Sequence, residues 1–193
     1  MRARDPKDIS AAVKFAAKYK IPTVIKNSGH DYLGRASRRN ALMIWTHFMN
    51  DTSFLNADGK WFPSGCKAGE YQENDLLVKV SAGVNLQDLY RAVSEKGRLV
   101  VAGSATTVGV TGGYIQGGGH SPLSPSKGMG SDNAVEFEVV TADVRSLPII
   151  KGIMYDAEIA IMTGIHCESL SMRKPRLVLG LTWWRRRYLW GCN

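Results

Sequence analysis

The sequence has no run of about 18 apolar residues, the length a helix needs to cross a bilayer, so a helical membrane span is excluded. Its opening, MRARDPKDIS, lacks the apolar stretch of a secretory leader, so no export signal is expected and the cellular location stays unassigned. Cysteine is scarce. Cys66, Cys167 and Cys192 have no metal-ligand spacing, and their odd number argues against a closed set of disulfides. No Gly-Lys-Ser/Thr closes a glycine loop, which removes a Walker-type phosphate site. GxGxxG is also missing, which disfavours a nicotinamide site of the Rossmann kind.

What is present is the composition of an ordinary globular chain: 193 residues, 44% hydrophobic and 22% charged, enough for one domain or slightly more. A net charge of +8 raises the question of nucleic acid. Residues 1–143 hold 17 Lys/Arg against 14 Asp/Glu, whereas 144–193 hold 8 against 3, so the excess sits mainly in the tail. Nucleic-acid binding is therefore not expected.

Residues 6–19 place Ile9, Ala12, Val13, Ala16 and Ala17 at helical spacing behind Pro6 and Asp8. Thr23-Val24-Ile25 is a short β-rich run that ends in the turn Asn27-Ser28-Gly29, and Leu42–Trp45 is a second strand. Residues 49–75 are polar and are expected to be loops. Strands are expected at 77–80, 99–101 and 135–141. A helix over 86–96 is capped by Asn85 and stopped by Gly97. Helices alternating with short strands predict an α+β or α/β domain.

Two segments carry chemistry. The first, Lys26-Asn27-Ser28-Gly29-His30-Asp31-Tyr32-Leu33-Gly34-Arg35, directly follows a strand. A strand that ends in small residues aims several backbone N–H groups one way and makes an anion nest. A side chain at Gly29 would keep a phosphate off that backbone. His30 stands at the rim; taken alone, Ser-Gly-His is equally a surface turn with an ordinary histidine. The second segment runs from Ala102 to Ser121 and holds seven glycines: Gly103, Gly109, Gly112, Gly113, Gly117, Gly118 and Gly119. So many glycines cost backbone entropy unless the chain needs close approach or positive φ. The interleaved Val108, Val110, Tyr114 and Ile115 argue against a flexible linker and for a buried loop wrapped around a ligand.

In this order and spacing, "IKNSGHDYLGR", "SATTVGVTGGYIQGGGHSPLS" and "SDNAVEFEVVTAD" resemble the PCMH-type FAD-binding domain of the vanillyl-alcohol oxidase superfamily. The branch they are most similar to is that of the berberine-bridge-enzyme-like and isoamyl-alcohol-oxidase-like oxidases. The resemblance spans roughly residues 7–143. It implies an α+β fold of two α/β subdomains clamping FAD, incomplete here at both ends. It also implies oxidation of an alcohol, sugar or alkaloid-type carbon by hydride transfer to flavin, with oxygen as the reoxidant. The partners implied are thus a small-molecule substrate and oxygen, with neither nucleic acid nor membrane. The alternative is a truncated FAD-binding fragment without catalysis.

The resemblance also assigns positions. His30 matches the histidine bonded to the flavin 8α-methyl group, a task that suits neutral imidazole as a nucleophile. Asn27, Ser28, Gly29 and Asp31 match the pyrophosphate loop. Gly103, Ser104, Thr107, Gly109, Gly112, Gly113, Gly117, Gly118 and Gly119 match the loop lying along the cofactor, and Asp132 and Asn133 the element after it. Ala105 stands where many relatives carry a second flavin-linking cysteine, so a single covalent link through His30 is expected. His120 aligns near the flavin, with packing an equal reading. His47 is read as structural and Cys66 as an ordinary loop thiol. The family's catalytic base lies in a substrate domain beyond the resemblance, so none is assigned.

After Asp143 the resemblance stops, and the chain ends in "KPRLVLGLTWWRRRYLWGCN" where the family would read "NPDLFWALRGGGGGTFGVV". Back-translated with its forced Trp codons, Trp183–Cys192 read one nucleotide later encodes Gly-Gly-Gly-Gly-Gly-Thr-Phe-Gly-Val-Val. Permitted codons back to Lys174 restore Asn-Pro-Asp-Leu-Phe-Trp-Ala-Leu-Arg before it. Val144-Arg145 can be an intron start, and Met162-Thr163-Gly164 can supply an intron end. The expected division is therefore a partial FAD domain over 1–143 and an aberrant tail over 144–193, a retained intron followed by frame-shifted sequence. On that reading Trp183, Trp184 and Trp190 complete no selected core, and Arg185–Arg187 form no nucleic-acid patch.

Overall fold

In the computed structural model, residues 1–55, 77–142, 146–150, 160–168 and 170–171 are described, the last three stretches as backbone only. Helix α1 (Pro6–Tyr19) starts where Asp5 accepts the Asp8 amide at 2.9 Å. Pro6 sits in the first turn, where an amide would have no partner. Lys20 ends the helix in a left-handed conformation, φ 52°. Its buried face is Ile9, Ala12 and Ala16. Strands β1 (Thr23–Lys26) and β2 (Leu42–Trp45) follow as a parallel pair, in register from Thr23 with Leu42 to Lys26 with Trp45. The link between them, residues 27–41, contains no helix and holds the first glycine segment.

The second unit is an antiparallel sheet of β3 (Thr52–Leu55), β4 (Leu77–Ser81), β6 (Ala134–Thr141), β7 (Ser146–Ile150) and β8 (Ala160–Glu168) in the order β3-β4-β8-β6-β7. Helix α2 (Leu86–Glu95) is capped by Asn85, whose side chain accepts the Asp88 amide at 2.9 Å. It buries Leu86, Leu89 and Val93 against Val78 and Val80 of β4 and Phe137 and Val139 of β6. The second glycine segment closes that core with Val110 and Ile115. The short β5 (Arg98–Leu99) pairs with β9 (Leu170–Ser171); the single-turn helix α3 (Gly113–Gln116) interrupts the glycine-rich stretch, and a second, α4 (Ser124–Lys127), follows it.

A smaller apolar cluster joins the units: Ala3, Ile9 and Ala12 from the N-terminal side, Ile44 and Met49 after β1, and Ala82 and Val140 from the sheet. At this seam Gly83 N donates to Met49 O at 2.6 Å. A Cβ on Gly83 would overlap His47 O and come within 2.5 Å of Thr46 O, so only glycine lets the two backbones meet.

The α+β expectation stands, with differences in detail. Residues 52–55, expected as loop, form β3, because pairing with β4 supplies partners that a polar local sequence does not announce. The strand expected at 99–101 is only Arg98–Leu99, and Val100 and Val101 are buried without strand pairing of their own. The stretch 102–119, expected as loop, contains α3. Backbone within 144–193 adds β7, β8 and β9. Cys66, Cys192, Trp183, Trp184, Trp190 and Arg185–Arg187 lie outside the described residues. Among the described residues no helix is long and apolar enough to cross a membrane, and no cluster of His, Cys, Asp and Glu could hold a metal ion.

Candidate functional site

The two glycine segments, far apart in sequence, are stitched together at their bases. Asn27 leaves β1 and donates its side-chain amide to Thr111 O at 2.8 Å and also to Ala82 O. Its own carbonyl accepts the Trp45 indole N–H at 2.9 Å. One residue on, Ser28 Oγ accepts the Gly109 amide at 3.0 Å across 81 residues. Gly109 has no room for a side chain, since a Cβ there would overlap the Asn27 amide.

Above these stitches the segments present an open edge. Gly29, at φ 92°, turns the chain so that His30 is exposed, and His30 Nε2 lies 2.8 Å from Thr107 Oγ1 on the opposite loop. Lys26 is not among the residues the sequence marks, yet its side chain runs under this turn. A Cβ on Gly29 would meet Lys26 Cε at 3.0 Å, and the Lys26 ammonium sits 5.5 Å from the centre of the Trp45 ring. In the sequence it stands only as the first residue of the segment, with no role assigned to it.

Asp31 works on its own turn. Its Oδ1 accepts from Arg35 Nε at 3.0 Å and Nη2 at 2.8 Å, and its Oδ2 accepts the Ala36 amide at 3.0 Å. The hydrogen-bonded Arg35 guanidinium, helped by the Ala36 amide, holds the Asp31 carboxyl below the usual carboxylate range, and Asp31 raises Arg35 in return.

In the second segment the residues divide by what surrounds them. Gly103 is buried: its carbonyl accepts the Tyr90 hydroxyl at 2.5 Å, and a Cβ would lie 3.2 Å from the Tyr114 ring. Burial pushes the Tyr90 phenol up, which keeps it a donor. Ser104, Ala105 and Thr107 are exposed. Gly112 adopts φ 93°, ψ −131° at the start of α3, a region closed to other residues. Gly113 beside it is exposed, with nothing within 4 Å of where a Cβ would stand.

Gly118 and Gly119 pack against protein, whereas Gly117 is exposed at the end of α3. Cβ atoms added at Gly117, Gly118 and Gly119 would meet Gly113 O at 3.2 Å, Met129 Cε at 3.3 Å and the Tyr114 ring at 3.0 Å respectively. The Tyr114 hydroxyl donates to the carbonyl of His120, whose own side chain is exposed. Asp132 accepts the Met129 amide at 2.8 Å. Asn133 is buried and donates to Lys127 O and Met129 O. These two residues join the glycine stretch through the backbone bond Gly130 N to Gly119 O, 2.7 Å. His47, in a 3-10 turn after β2, stacks on Trp45 at 5.5 Å.

The sequence-marked residues thus form one continuous structure with two duties. His30, Gly29, Ser104, Thr107 and Gly113 face outward at the open edge. Asn27, Ser28, Gly103, Gly109, Gly119 and Asn133 hold the two loops in shape. Asn27 Oδ1 and Thr111 Oγ1 are buried at the junction without a hydrogen-bond partner among the described residues, a cost of about 1–3 kcal/mol for each such group. The free space over Gly113, the Gly29 turn with the Lys26 ammonium beneath it and the histidine at the rim fit an elongated, phosphate-bearing ligand such as a flavin dinucleotide.

Comparison with known proteins bears on that fit. The FAD binding domain family matches residues 1–146. An uncharacterised FAD-linked oxidoreductase of Arthroderma benhamiae is 46% identical over 145 residues, which is 74% of this chain and 23% of that one. The crystal structure of the VAO-type flavoprotein MtVAO615 from Myceliophthora thermophila superposes with a TM-score of 0.75 at 36% identity, covering 88% of this chain and 31% of that one. Glucooligosaccharide oxidase of Acremonium strictum, described with a 6-S-cysteinyl, 8α-N1-histidyl FAD, shares the fold at a TM-score of 0.70 and 20% identity, over 88% of this chain and 34% of that one. The chain spans about a quarter of the length of the curated relatives it matches.

Proposed function

The chain belongs to the FAD binding domain family, and on that premise we propose that its two glycine segments grip FAD with His30 as the single covalent tether. The observation that carries this is the meeting of His30 and Thr107, two exposed residues from segments 77 residues apart, over a base that admits no side chain at Gly109. Asn27 and Ser28 hold the loops in register. The Gly29 turn, with the Lys26 ammonium beneath it, suits a pyrophosphate in charge and shape. Ala105 offers only a methyl group, so no sulfur bond is available at that position.

Bound flavin supplies a hydride acceptor, and dioxygen the means to empty it. The whole protein is on this reading an oxidase of alcohol, sugar or alkaloid-type carbons. What these residues contribute is position: they fix the ring system at His30 and leave the Gly113 side open for the cofactor to lie against the backbone.

Production of the full chain with FAD, followed by acid precipitation, tests the reading. The pellet is expected to stay yellow, and His30→Ala to release all colour into the supernatant. Colourless protein before acid treatment overturns FAD binding. Yellow protein without turnover of any alcohol or sugar identifies a flavin-binding module rather than a working oxidase.

A further inference from the structure

The contact between His30 and Thr107 carries a finer assignment than cofactor binding. A neutral imidazole has one N–H and one lone pair, and which nitrogen holds which is set by the hydrogen bond the ring makes. The described contact of the His30 ring is Nε2 to Thr107 Oγ1 at 2.8 Å, and both residues are exposed at the open edge. The hydroxyl oxygen can accept a hydrogen bond from Nε2–H while its own hydrogen turns to solvent.

Building on the FAD reading above, the geometry points to Thr107 as the positioning residue for flavin attachment. It accepts Nε2–H, so that His30 presents Nδ1 as the lone-pair nitrogen and holds the ring plane still. In the attachment step the Nδ1 lone pair forms a bond to the flavin 8α carbon, which gives up one C–H proton to solvent. The Nε2 proton passes to solvent, restoring a neutral ring. The two electrons of the broken C–H bond stay on the flavin, which is left two-electron reduced. Dioxygen then takes those electrons with two protons and leaves as hydrogen peroxide. Thr107 itself forms no bond to the cofactor; it acts through His30.

Thr107 suits this role for a structural reason. It lies two residues before Gly109, whose amide is fixed to Ser28, and the Val108 amide donates to Ala105 O at 3.0 Å in a tight turn. The Thr107 backbone is therefore held to the 27–30 loop by the Gly109 amide's bond to the Ser28 hydroxyl, and within its own loop by the turn. An oriented partner of this kind restricts a nucleophile that would otherwise rotate freely about two side-chain torsions.

The test is the rate at which acid-stable yellow colour appears when FAD, at saturating concentration for each variant, is added to flavin-free full chain. Thr107→Val is expected to slow attachment about tenfold, and Thr107→Ser to restore it to within about twofold. Nitrogen-15 spectra of the flavin-free chain are expected to show Nδ1 unprotonated and Nε2 protonated, and Thr107→Val to move both signals towards a tautomer average. Attachment by Thr107→Val at the native rate overturns the inference. So does a serine variant as slow as the valine one, because packing of the methyl group would then be what matters. Colour that binds but is wholly lost in acid from the unaltered chain removes the tether and this inference with it, while leaving FAD binding intact.

Discussion

The side-chain amide of Asn27 occupies the space where Gly109 would carry a Cβ, so the two residues interlock across the junction of the glycine segments. Gly109→Ala is expected to cost about 1–3 kcal/mol, as overpacking at a fixed contact does. Asn27→Ala alone loses the bonds to Thr111 O and Ala82 O. Together they should cost less than their sum, because Asn27→Ala vacates the space the new methyl needs. Urea unfolding of the two single variants and the double variant measures this. Strict additivity would show that the residues do not share that space.

Gly112 and Gly113 separate two reasons for glycine. Gly112 has ample room but a backbone conformation closed to side chains, so Gly112→Ala is expected to cost about 1–3 kcal/mol of stability with or without ligand. Gly113 has ordinary helical backbone and empty space before it, so Gly113→Ala is expected to leave stability within about 0.5 kcal/mol. FAD affinity of that variant should nonetheless fall about tenfold if the cofactor lies against the backbone there. Thermal unfolding of flavin-free protein beside FAD titration reads both effects. Undiminished affinity would move the cofactor path away from Gly113.

Acid should loosen the turn after His30 at a lower pH than an ordinary carboxylate predicts. The carboxyl of Asp31 is depressed in the folded chain, first by the Arg35 hydrogen bond. Its contribution is therefore complete above the unfolded value, near 3.8, and is lost as pH falls through the lower folded value. The Ala36 amide, bonded to Asp31 Oδ2, reports this directly. Its NMR shift should be flat above about pH 4 and titrate below that. In Asp31→Asn the titration should vanish. A midpoint at or above the ordinary aspartate value would contradict the pairing.

The family match ends at residue 146, beside the point where the sequence departs from the family pattern. Backbone of β8 does pair with β6, though with two register shifts, and such pairing needs no particular side chains. Sequencing of spliced transcripts is expected to show a dominant form that omits codons from Val144 to about Thr163 and then reads the frame encoding five consecutive glycines. A dominant transcript that encodes 144–193 as written here would overturn this reading.

Much of the frame was legible because its signals are local. Asp5, Pro6 and the spacing of Ile9, Ala12 and Ala16 specify α1, and Asn85 with Leu86, Leu89 and Val93 specifies α2. Strand β3 was not legible: Thr52–Leu55 becomes a strand by pairing with β4, a partner that no short window contains. At the site, motif order set His30 beside the glycine loops, and its ring does lie 2.8 Å from Thr107 Oγ1. It could not distinguish glycines that face the opening from those that face protein. Gly103 and Gly113 look alike in sequence, but one lies against Tyr114 and the other against open space. Lys26 and Thr111 went unmarked because their importance comes from contacts with distant residues.

The bare backbone at Gly83 has a consequence well away from the loops it serves. The two halves of the molecule touch there main chain to main chain, so no side chain is left to absorb a change in their spacing. One added methyl group at Gly83 would push those halves apart without altering any residue of the two glycine segments. A chain could in this way keep every recognisable motif and still lose its fit to the cofactor.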